Sequence, residues 1–394
     1  MPERELRAAE PDLELDYDDE EASEESEQVG AFQALLQDRR RLLIGAAGVA
    51  LVIVAIYIVF PKLVGLDDAV RKLGDAVWYW IVIALAFNVA AFGAYTMLFR
   101  GVLGGIHADD VRRRLDLRAS YQITMAGLAA TRLFSAGGAG GIILTYWALR
   151  KAGMSRRRSA CRMVAFLVLL YGVYLGALII FGILLRTGVL PGDDPLGGTV
   201  IPAGIAAGLM AVFLLIALIP QDVERRIQRF GGGYRHTRYL TRIAKGPATV
   251  ATGVRTAIAY VRHPSRGALA VGGAVGFWGA NIAVLWASFE AFGGDVPFAI
   301  LVQGFFIGLA ANLIPSPFGG VGSVDAGMIG AFVLFGIDES TVFPAVLTYR
   351  VIAFWLPIPP GVVAFLQLRK TVGRWEEERK RERDYTSESK VMAR

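Results

Sequence analysis

Long apolar segments alternate with short polar or charged segments along most of the chain. The pattern predicts an all-α, multi-pass membrane protein, because six of the segments are long enough to cross a hydrocarbon core of about 30 Å as helices. These six segments are Leu42 to Phe60, Ala76 to Phe99, Met163 to Leu185, Val200 to Ile219, Ala268 to Phe292 and Val342 to Leu368.

Two further apolar segments are interrupted near their middles. Ala119 to Leu149 and Val296 to Phe335 contain glycine runs, and the second also contains Pro315 and Pro317. Each is too short for two comfortable spans and too broken for one, since glycine and proline weaken a helix interior. We therefore expect each segment to form a re-entrant hairpin or a pair of half-helices.

The two broken segments share short strings that recur after roughly 181 to 183 residues. The first copy reads Gly127-Leu-Ala-Ala130, Gly137-Gly-Ala-Gly140 and Gly153-Met-Ser155, and the second reads Gly308-Leu-Ala-Ala311, Gly319-Gly-Val-Gly322 and Gly336-Ile-Asp338. Chance recurrence of small residues in membrane helices is the alternative explanation. Internal repeats of this kind build many secondary transporters.

Basic residues predict which connecting segments face the cytoplasm. The cytoplasmic set is Arg39 to Arg41, Arg112 to Arg114, Arg150 to Arg158, the basic loop 221–266 and the charged tail 371–394. The two hairpins then enter the membrane from opposite faces. Residues 42–199 and 200–370 therefore form two halves in an inverted-repeat arrangement, and both termini lie in the cytoplasm.

The composition agrees with a membrane protein. Of 394 residues, 54% are hydrophobic and 19% are charged, and the mean hydropathy is +0.47. The net charge of +6 hides an asymmetry, because the first 29 residues hold 13 acidic side chains. We expect residues 1–41 to be an acidic disordered tail. The apolar run that begins at Leu42 is long enough to remain as a membrane anchor.

Several kinds of chemistry find no support in the sequence. Cys161 is the single cysteine, and His107, His236 and His263 are scattered, so neither an intramolecular disulfide nor a metal site is expected. A phosphate-binding Gly-x-x-x-x-Gly-Lys motif is absent, and no cofactor is implied. The basic loops lack aromatic interleaving, so we expect no nucleic-acid partner.

Charged side chains within apolar segments are candidates for function, because each costs about 2.5 to 3.5 kcal/mol at mid-bilayer unless it is compensated. The four are Asp325, Arg350, Arg132 and Glu290. Asp325 and Arg350 flank one glycine loop, so they can form an ion pair that is either a structural clamp or part of a ligand site. The two arginines suit a lipid phosphate, although Arg132 can instead snorkel to the interface.

Neutral residues complete the predicted lipid-binding site. Half-helix N-termini carry partial positive charge and favour an anion. The predicted site therefore adds Gly137, Gly138, Gly140, Asn312, Pro315, Pro317, Gly319, Gly320 and Gly322 to the charged residues. Asn88 and Asn281 are expected to bridge helices by hydrogen bonds.

The basic loop 221–266 contains an amphipathic pattern. Its apolar positions Val250, Val254, Ala257, Ile258 and Val261 fall on one helical face. This pattern predicts an interfacial helix that lies on an anionic membrane surface. A homo-oligomer is left open by the sequence.

The region from Gly308 to Arg369 resembles a known family. It contains Pro-Ser-Pro, Gly-Gly-x-Gly, an acid three residues later, and then Tyr349-Arg350. This order resembles the flippase-like family, the membrane domains of lysylphosphatidylglycerol synthase, also called multiple peptide resistance factor. The resemblance extends loosely over residues 42–370 and implies spans plus re-entrant helices that move a phospholipid between leaflets. No segment resembles the soluble aminoacyl transferase domain of that synthase.

Departures from the family pattern leave the substrate open. Asp325 stands where the family usually has Glu, and Phe318 is inserted before the glycines. The first hairpin lacks the acid and the downstream arginine, with neutral residues around Gly140 and Phe166.

The function predicted from these features is that of a lipid translocase in the inner or plasma membrane, for a phospholipid or a lipid-linked molecule. One alternative is an integral membrane enzyme that acts on lipid-linked substrates. It would need paired acids at membrane depth, yet Asp109-Asp110 and Asp193-Asp194 lie in loops. The other alternative is a membrane scaffold that transports nothing. We expect no catalytic residue.

Overall fold

The computed structural model describes residues 76–104, 109–133, 139–218, 235–313 and 320–392, and its regular elements in these ranges are all helical. The predicted acidic tail and the predicted first span, Leu42 to Phe60, lie outside the described residues.

Twelve α-helices form in the described ranges. They are α1 Trp78–Leu103, α2 Asp109–Arg114, α3 Leu117–Leu133, α4 Ala139–Lys151, α5 Arg156–Arg186, α6 Val200–Ala217, α7 Arg235–Arg262, α8 Pro264–Glu290, α9 Phe298–Ala310, α10 Ser323–Leu334, α11 Glu339–Arg350 and α12 Ile358–Met392. A 3₁₀ turn, Ala311–Leu313, follows α9, and a π-helical turn, Val351–Trp355, follows α11.

Five helical segments of the described chain are long and apolar enough to cross a membrane, and they coincide with five of the six predicted spans to within a few residues, except at the start of Arg156–Arg186 and at the end of the last span. They are Trp78–Leu103, Arg156–Arg186, Val200–Ala217, Gly267–Glu290 and Glu339–Arg381. The polytopic helical class is therefore confirmed. The total number of spans and the inverted repeat stay predictions.

Helix α6 has the surface of a lipid-facing helix. Ala206 is its one buried residue, while Ile205 and Leu215 are more than 60% exposed. A helix that is apolar on all sides and yet lies on the outside of a fold needs an apolar surrounding. The exposed apolar surface of α6 thus supports a membrane location independently of the lengths of the helices.

Both interrupted segments form two short helices that pack closely on each other. We call α3 with α4 the first helix pair, and α9 with α10 the second helix pair. A Cβ atom on Gly141 would lie 2.5 Å from the carbonyl oxygen of Gly127, and one on Gly327 would lie 3.0 Å from that of Gly308. Gly141 and Gly327 therefore allow the close approach in each pair, at Gly127 and Gly308, the first residues of the repeated strings. Whether either pair re-enters from one membrane face stays a prediction.

The last predicted span, Val342 to Leu368, lies within the candidate span Glu339–Arg381, which is built from two α-helices and a π-helical turn. Helix α11 ends at Arg350, the π turn follows, and α12 begins only after a further short turn. Pro357, Pro359 and Pro360 explain the break, because none has an amide hydrogen with which to continue the helical ladder. Beyond the break, α12 runs through most of the predicted charged tail to Met392.

The predicted amphipathic helix of the basic loop is present as α7, with a different buried face. Of the residues on the predicted apolar face, Val254 and Ala257 are buried inside the protein, whereas Val250 and Val261 are exposed. Helix α7 packs against α5 at Gly253, where an added Cβ would lie 2.6 Å from the side chain of Val164. The close contact is set by a small residue, and apolar periodicity alone does not reveal it. Contact of this helix with anionic lipid stays a prediction.

The buried apolar residues form two clusters. One contains Ile123 of α3 and Leu149 of α4, together with Phe365 of α12. The other contains Phe305 of α9 and Phe332 of α10. Helices α1, α5 and α8 contribute to both clusters. Each helix pair thus has its own core, and residues that join the two cores stand out as candidates for function.

Candidate functional site

The π turn after α11 leaves two carbonyl groups without their usual helical donors. The amide of Leu356 donates to Val351, five residues back, at 2.9 Å. It therefore does not serve Ile352, and Pro357 has no amide hydrogen to donate to Ala353. Buried carbonyls need a partner, so the Ile352 and Ala353 oxygens must be satisfied from elsewhere.

Two side chains from distant helices satisfy these carbonyls. The Nδ2 of Asn88, on α1, donates to the Ile352 oxygen at 2.9 Å. The Nη2 of Arg132, at the end of α3, donates to the Ala353 oxygen at 2.8 Å. The π turn consequently joins α1 and the first helix pair to α11. The helix-bridging prediction is confirmed for Asn88.

The second predicted bridge is wrong. Asn281 donates to the carbonyl oxygen of Phe277 at 2.8 Å, four residues back in its own helix. An asparagine in an apolar helix can satisfy one donor locally in this way, and no neighbouring helix is then required.

Asp325 and Arg350 form the ion pair that the sequence predicts. The Nε of Arg350 donates to Oδ1 of Asp325 at 2.6 Å, and the residues are 4% and 8% exposed respectively. Oδ2 of Asp325 accepts the amide of Gly322 at 2.8 Å, while Nη2 of Arg350 donates to the Gly320 carbonyl at 3.2 Å. The carboxylate therefore caps α10 and holds Arg350 at the same time.

The backbone around the pair requires glycine. Gly320 and Gly322 have φ angles of +92° and +85°, a region that side chains strongly disfavour. Asn312, an exposed predicted site residue, lies beside this loop, since a Cβ on Gly320 would lie 2.6 Å from its Oδ1 atom. The glycine loop thus aims one amide and one carbonyl at the ion pair.

Phe354 places the two arginines next to each other. Its ring centroid lies 4.3 Å from Cζ of Arg350 and 5.6 Å from Cζ of Arg132. The negative face of the ring attracts both cations, but only Arg350 has a carboxylate partner among the described residues. Asp325, Arg350 and Arg132 therefore sum to one positive charge. We call these three residues with Phe354 the arginine site.

One nitrogen of the arginine site is left without a hydrogen-bond acceptor. The Nη1 of Arg132 is buried and has no hydrogen-bond partner in the structure. Its Nη2 is held on the Ala353 carbonyl, so the guanidinium plane is fixed while both N–H groups of Nη1 are left without an acceptor. A guanidinium with an unused donor and a net positive surrounding favours an anionic oxygen acceptor.

The other predicted site residues fall into two groups. Gly140 is half-buried in the first turn of α4, but the close contact with α3 is made by the next residue, Gly141. Five more lie outside the described residues, so their roles stay predictions: Gly137, Gly138, Pro315, Pro317 and Gly319.

Sequence reasoning missed Phe354 and the π turn. The available signal was Pro357 with Pro359 and Pro360 inside an apolar run, which predicts unpaired carbonyls four residues earlier. Glu290, the fourth charged residue singled out in the sequence, is the last residue of α8. It makes none of the contacts described for the arginine site.

These observations define a polytopic α-helical membrane protein with two pairs of half-length helices that meet at a buried cationic site. Within the described residues, no three His, Cys, Asp or Glu side chains could hold a metal ion. The family described as "Lysylphosphatidylglycerol synthase TM region" matches residues 45–361, so the chain belongs to this family.

A curated relative has a similar extent. The chain is 24% identical over 315 residues to a UPF0104 membrane protein of the archaeon Methanothermobacter thermautotrophicus, and the match covers 76% of this chain and 87% of that protein. The resemblance inferred from the glycine loop and Tyr349-Arg350 is thereby confirmed at the level of the family.

Proposed function

We propose that this protein is a lipid translocase that moves a phospholipid or a lipid-linked molecule between the leaflets of the inner or plasma membrane. The observation that carries the proposal is the net positive charge of the arginine site, where two guanidinium groups lie against one ring and, among the described residues, only that of Arg350 is paired with a carboxylate. A lipid phosphate supplies the charge and the acceptor oxygens that this site lacks.

The roles within the site follow from the contacts. Arg132 offers the N–H groups of Nη1 to the phosphate, because Nη2 is already held by the Ala353 carbonyl. Arg350 provides a second positive charge, and Asp325 fixes its orientation at 2.6 Å. A free carboxylate would repel the phosphate, but this one is neutralised by Arg350 and by the amide of Gly322.

Transport, beyond binding alone, is supported by where the site lies. Arg132 lies at the end of α3, the first helix of the first pair, and Asp325 lies in the first turn of α10, the second helix of the other pair. The two meet through a π turn, a type of irregular turn often found at functional sites. Broken helices that meet at a binding site are how many secondary transporters expose it to alternate sides.

In this proposal the two helix pairs are inverted copies that approach from opposite leaflets. The termini lie in the cytoplasm, as the basic connecting segments suggest. The reaction makes and breaks no covalent bond, so we propose a transporter and no enzyme. The lipid itself is the partner that the arginine site selects.

The direct test is reconstitution of the purified protein into liposomes that carry a headgroup-labelled fluorescent phospholipid. A membrane-impermeant quencher then reports the fraction of label that becomes accessible. Transport predicts quenching beyond the share of the outer leaflet. Arg132→Gln is expected to reduce the transport rate at least about tenfold, since a charge-assisted hydrogen bond to the moving group is lost.

Arg186→Gln is the matched control. Arg186 is an exposed arginine at the end of α5 that pairs with Asp194 at 2.7 Å, outside the arginine site, so this variant should transport like the wild type. If wild-type liposomes match protein-free liposomes for several headgroups and under an imposed ion gradient, the proposal fails. It also fails if the two variants lose transport equally.

A further inference from the structure

Three tyrosine side chains lie close to the arginine site. Tyr95 and Tyr349 both interact electrostatically with the Arg132 guanidinium, and Tyr171 interacts with Tyr95 in the same way. The three tyrosines come from α1, α5 and α11, and Tyr349 directly precedes Arg350. They are far apart in the chain and come together through the fold. We call Tyr95, Tyr171 and Tyr349 the tyrosine group.

The position of Tyr95 on its helix supports this placement. Tyr95 follows Asn88 by seven residues, about two helical turns, so both lie on the same face of α1. Asn88 donates a hydrogen bond to the π turn of the arginine site. Long helical side chains lean toward the N-terminus of their helix. The hydroxyl of Tyr95 is therefore directed toward the arginine site.

The hydroxyls of the tyrosine group are not used by the protein. Among the described residues, none of the three has a hydrogen-bond partner. Tyr174, one turn after Tyr171 on α5, differs in this respect, because its hydroxyl donates to the Phe306 carbonyl at 2.6 Å. Tyr349 is 5% exposed, and buried polar groups are normally hydrogen-bonded. Its free hydroxyl beside the unused Nη1 of Arg132 therefore indicates a polar ligand.

Packing fixes the rings of the tyrosine group and leaves the hydroxyls as the groups that can bind. The ring centroid of Tyr95 lies 5.2 Å from that of Phe166 and 4.9 Å from that of Phe277. The ring centroid of Tyr349 lies 5.8 Å from that of Phe305. These neighbours crowd the ring surfaces over which an ammonium group would bind. The tyrosine group thus favours a hydrogen-bonding ligand over a cationic one.

The charge of the arginine site also disfavours a cationic headgroup. Both carboxylate oxygens of Asp325 are occupied, Oδ1 by Arg350 and Oδ2 by the amide of Gly322. Among the described residues, no further carboxylate pairs with Arg132 or Arg350. An ammonium group would meet net positive charge without a counter-charge. Uncharged hydroxyls would meet the tyrosine hydroxyls, which both donate and accept hydrogen bonds.

We propose that the tyrosine group selects a phospholipid whose headgroup is an uncharged polyol, such as glycerol or inositol. Arg132 binds the phosphate, while Tyr95 and Tyr349 form hydrogen bonds with the headgroup hydroxyls. Tyr171 is 48% exposed, so the tyrosine group leads from the arginine site to the surface. The inference rests on the proposed function, because it takes Arg132 as the group that holds the phosphate.

Binding measured without transport tests this selection. The purified full chain in detergent micelles is mixed with equimolar pairs of lipids that have identical acyl chains, and native mass spectrometry gives the ratio of the two bound lipids. Phosphatidylglycerol should exceed phosphatidylethanolamine about tenfold. It should exceed phosphatidylmethanol, which has the same charge but no headgroup hydroxyl, about threefold. Equal binding of phosphatidylglycerol and phosphatidylmethanol would overturn the proposal.

Variants that remove a single hydroxyl test the residues. Tyr95→Phe and Tyr349→Phe keep the packed rings and should each lower the preference for phosphatidylglycerol over phosphatidylmethanol about twofold or more. The control is Tyr79→Phe, which removes a hydroxyl from a 49% exposed residue at the other end of α1 and should leave the preference unchanged. An equal loss in Tyr79→Phe would contradict the proposed role of the tyrosine group, and so would an unchanged preference in both other variants.

Two further arms separate the possible failures. Displacement of phosphatidylglycerol by equimolar glycerol phosphate would identify a soluble ligand and overturn the proposal. The liposome assay reports on transport separately. If phosphatidylglycerol is selected in micelles but no lipid crosses the bilayer, the translocase proposal fails and the selection stands. If lipids cross but bind without regard to headgroup hydroxyls, the selection fails and the translocase proposal stands.

Discussion

The two helix pairs use the same means of close packing but differ in their charge. In both, a glycine from the repeated string meets a glycine of the partner helix, Gly127 with Gly141 and Gly308 with Gly327. The second pair neutralises its cation internally, since Asp325 holds Arg350. The first pair brings Arg132, which has no carboxylate partner among the described residues. Small residues therefore account for the shared shape, and the difference in charge indicates where a ligand is needed.

The largest effect should come from breaking the internal neutralisation of the second pair. Asp325→Asn leaves Arg350 buried without a counter-charge and should lower the free energy of unfolding by about 3 to 5 kcal/mol. Chemical denaturation in detergent micelles measures this. Glu290→Gln, which removes a half-buried carboxylate at the end of α8, is the control and should cost less than about 1 kcal/mol. Equal stability of the two variants would contradict the structural role of the ion pair between Asp325 and Arg350.

The shared glycine contacts should rank next. A methyl group on Gly308 would lie 2.6 Å from Cα of Met328, and one on Gly141 would lie 2.5 Å from the Gly127 oxygen. Gly308→Ala and Gly141→Ala should each lower the free energy of unfolding by about 1 to 3 kcal/mol.

The control for the glycine prediction lies in the second pair itself. A Cβ on Gly330 of α10 meets nothing within 4 Å, so Gly330→Ala should be neutral or slightly stabilising, because alanine favours the helix. A loss at Gly330 as large as at Gly308 would show that helix flexibility, and not close packing, matters in these pairs.

Removing the unneutralised cation should affect stability less. Arg132→Gln deletes one hydrogen bond to Ala353 and should cost about 1.5 kcal/mol or less, partly offset by relief of repulsion from Arg350. Thermal unfolding of the purified protein checks this. If Arg132→Gln is as damaging as Asp325→Asn, then Arg132 is structural and the proposed difference between the pairs is wrong.

Much of this architecture could be predicted from sequence, because apolar length and glycine runs act locally. The five described spans, the helix pairs and the contact of Asp325 with Arg350 all follow from residues close in the chain. The contact of Arg132 with Ala353 joins residues 221 positions apart, so no local pattern reveals it. It depends on where α3 packs, and that in turn depends on close contacts such as Gly361 against Ala129.

The π turn lies between these cases. Pro357 predicts that the carbonyl of Ala353 lacks its helical donor, but the sequence does not indicate which side chain replaces that donor. Periodicity failed for α7 for a related reason, since Gly253 decides which side faces α5 and a glycine carries no hydrophobic signal. The local sequence thus predicts that a backbone carbonyl lacks a hydrogen-bond donor, and tertiary packing determines which side chain supplies the donor.

The smallest effect concerns the other carbonyl of the π turn. Asn88→Ala removes the donor to Ile352 and should cost about 1 kcal/mol in free energy of unfolding. Asn281→Ala, at a similarly buried residue that bonds only within its own helix, should cost less. Unfolding midpoints measured side by side decide this, and a larger loss for Asn281→Ala would refute the bridging role of Asn88.

The central claim is that Arg132 contacts a lipid phosphate. Solid-state NMR on protein with ¹⁵N-labelled arginine side chains, reconstituted in phospholipid bilayers, measures distances from guanidinium nitrogens to lipid ³¹P. The account predicts a nitrogen within about 4 Å of phosphorus, as expected for a charge-assisted hydrogen bond. Such a nitrogen shows dipolar dephasing by ³¹P, and this dephasing should be lost in Arg132→Gln but not in Arg186→Gln. Dephasing that is unchanged in Arg132→Gln would contradict the account.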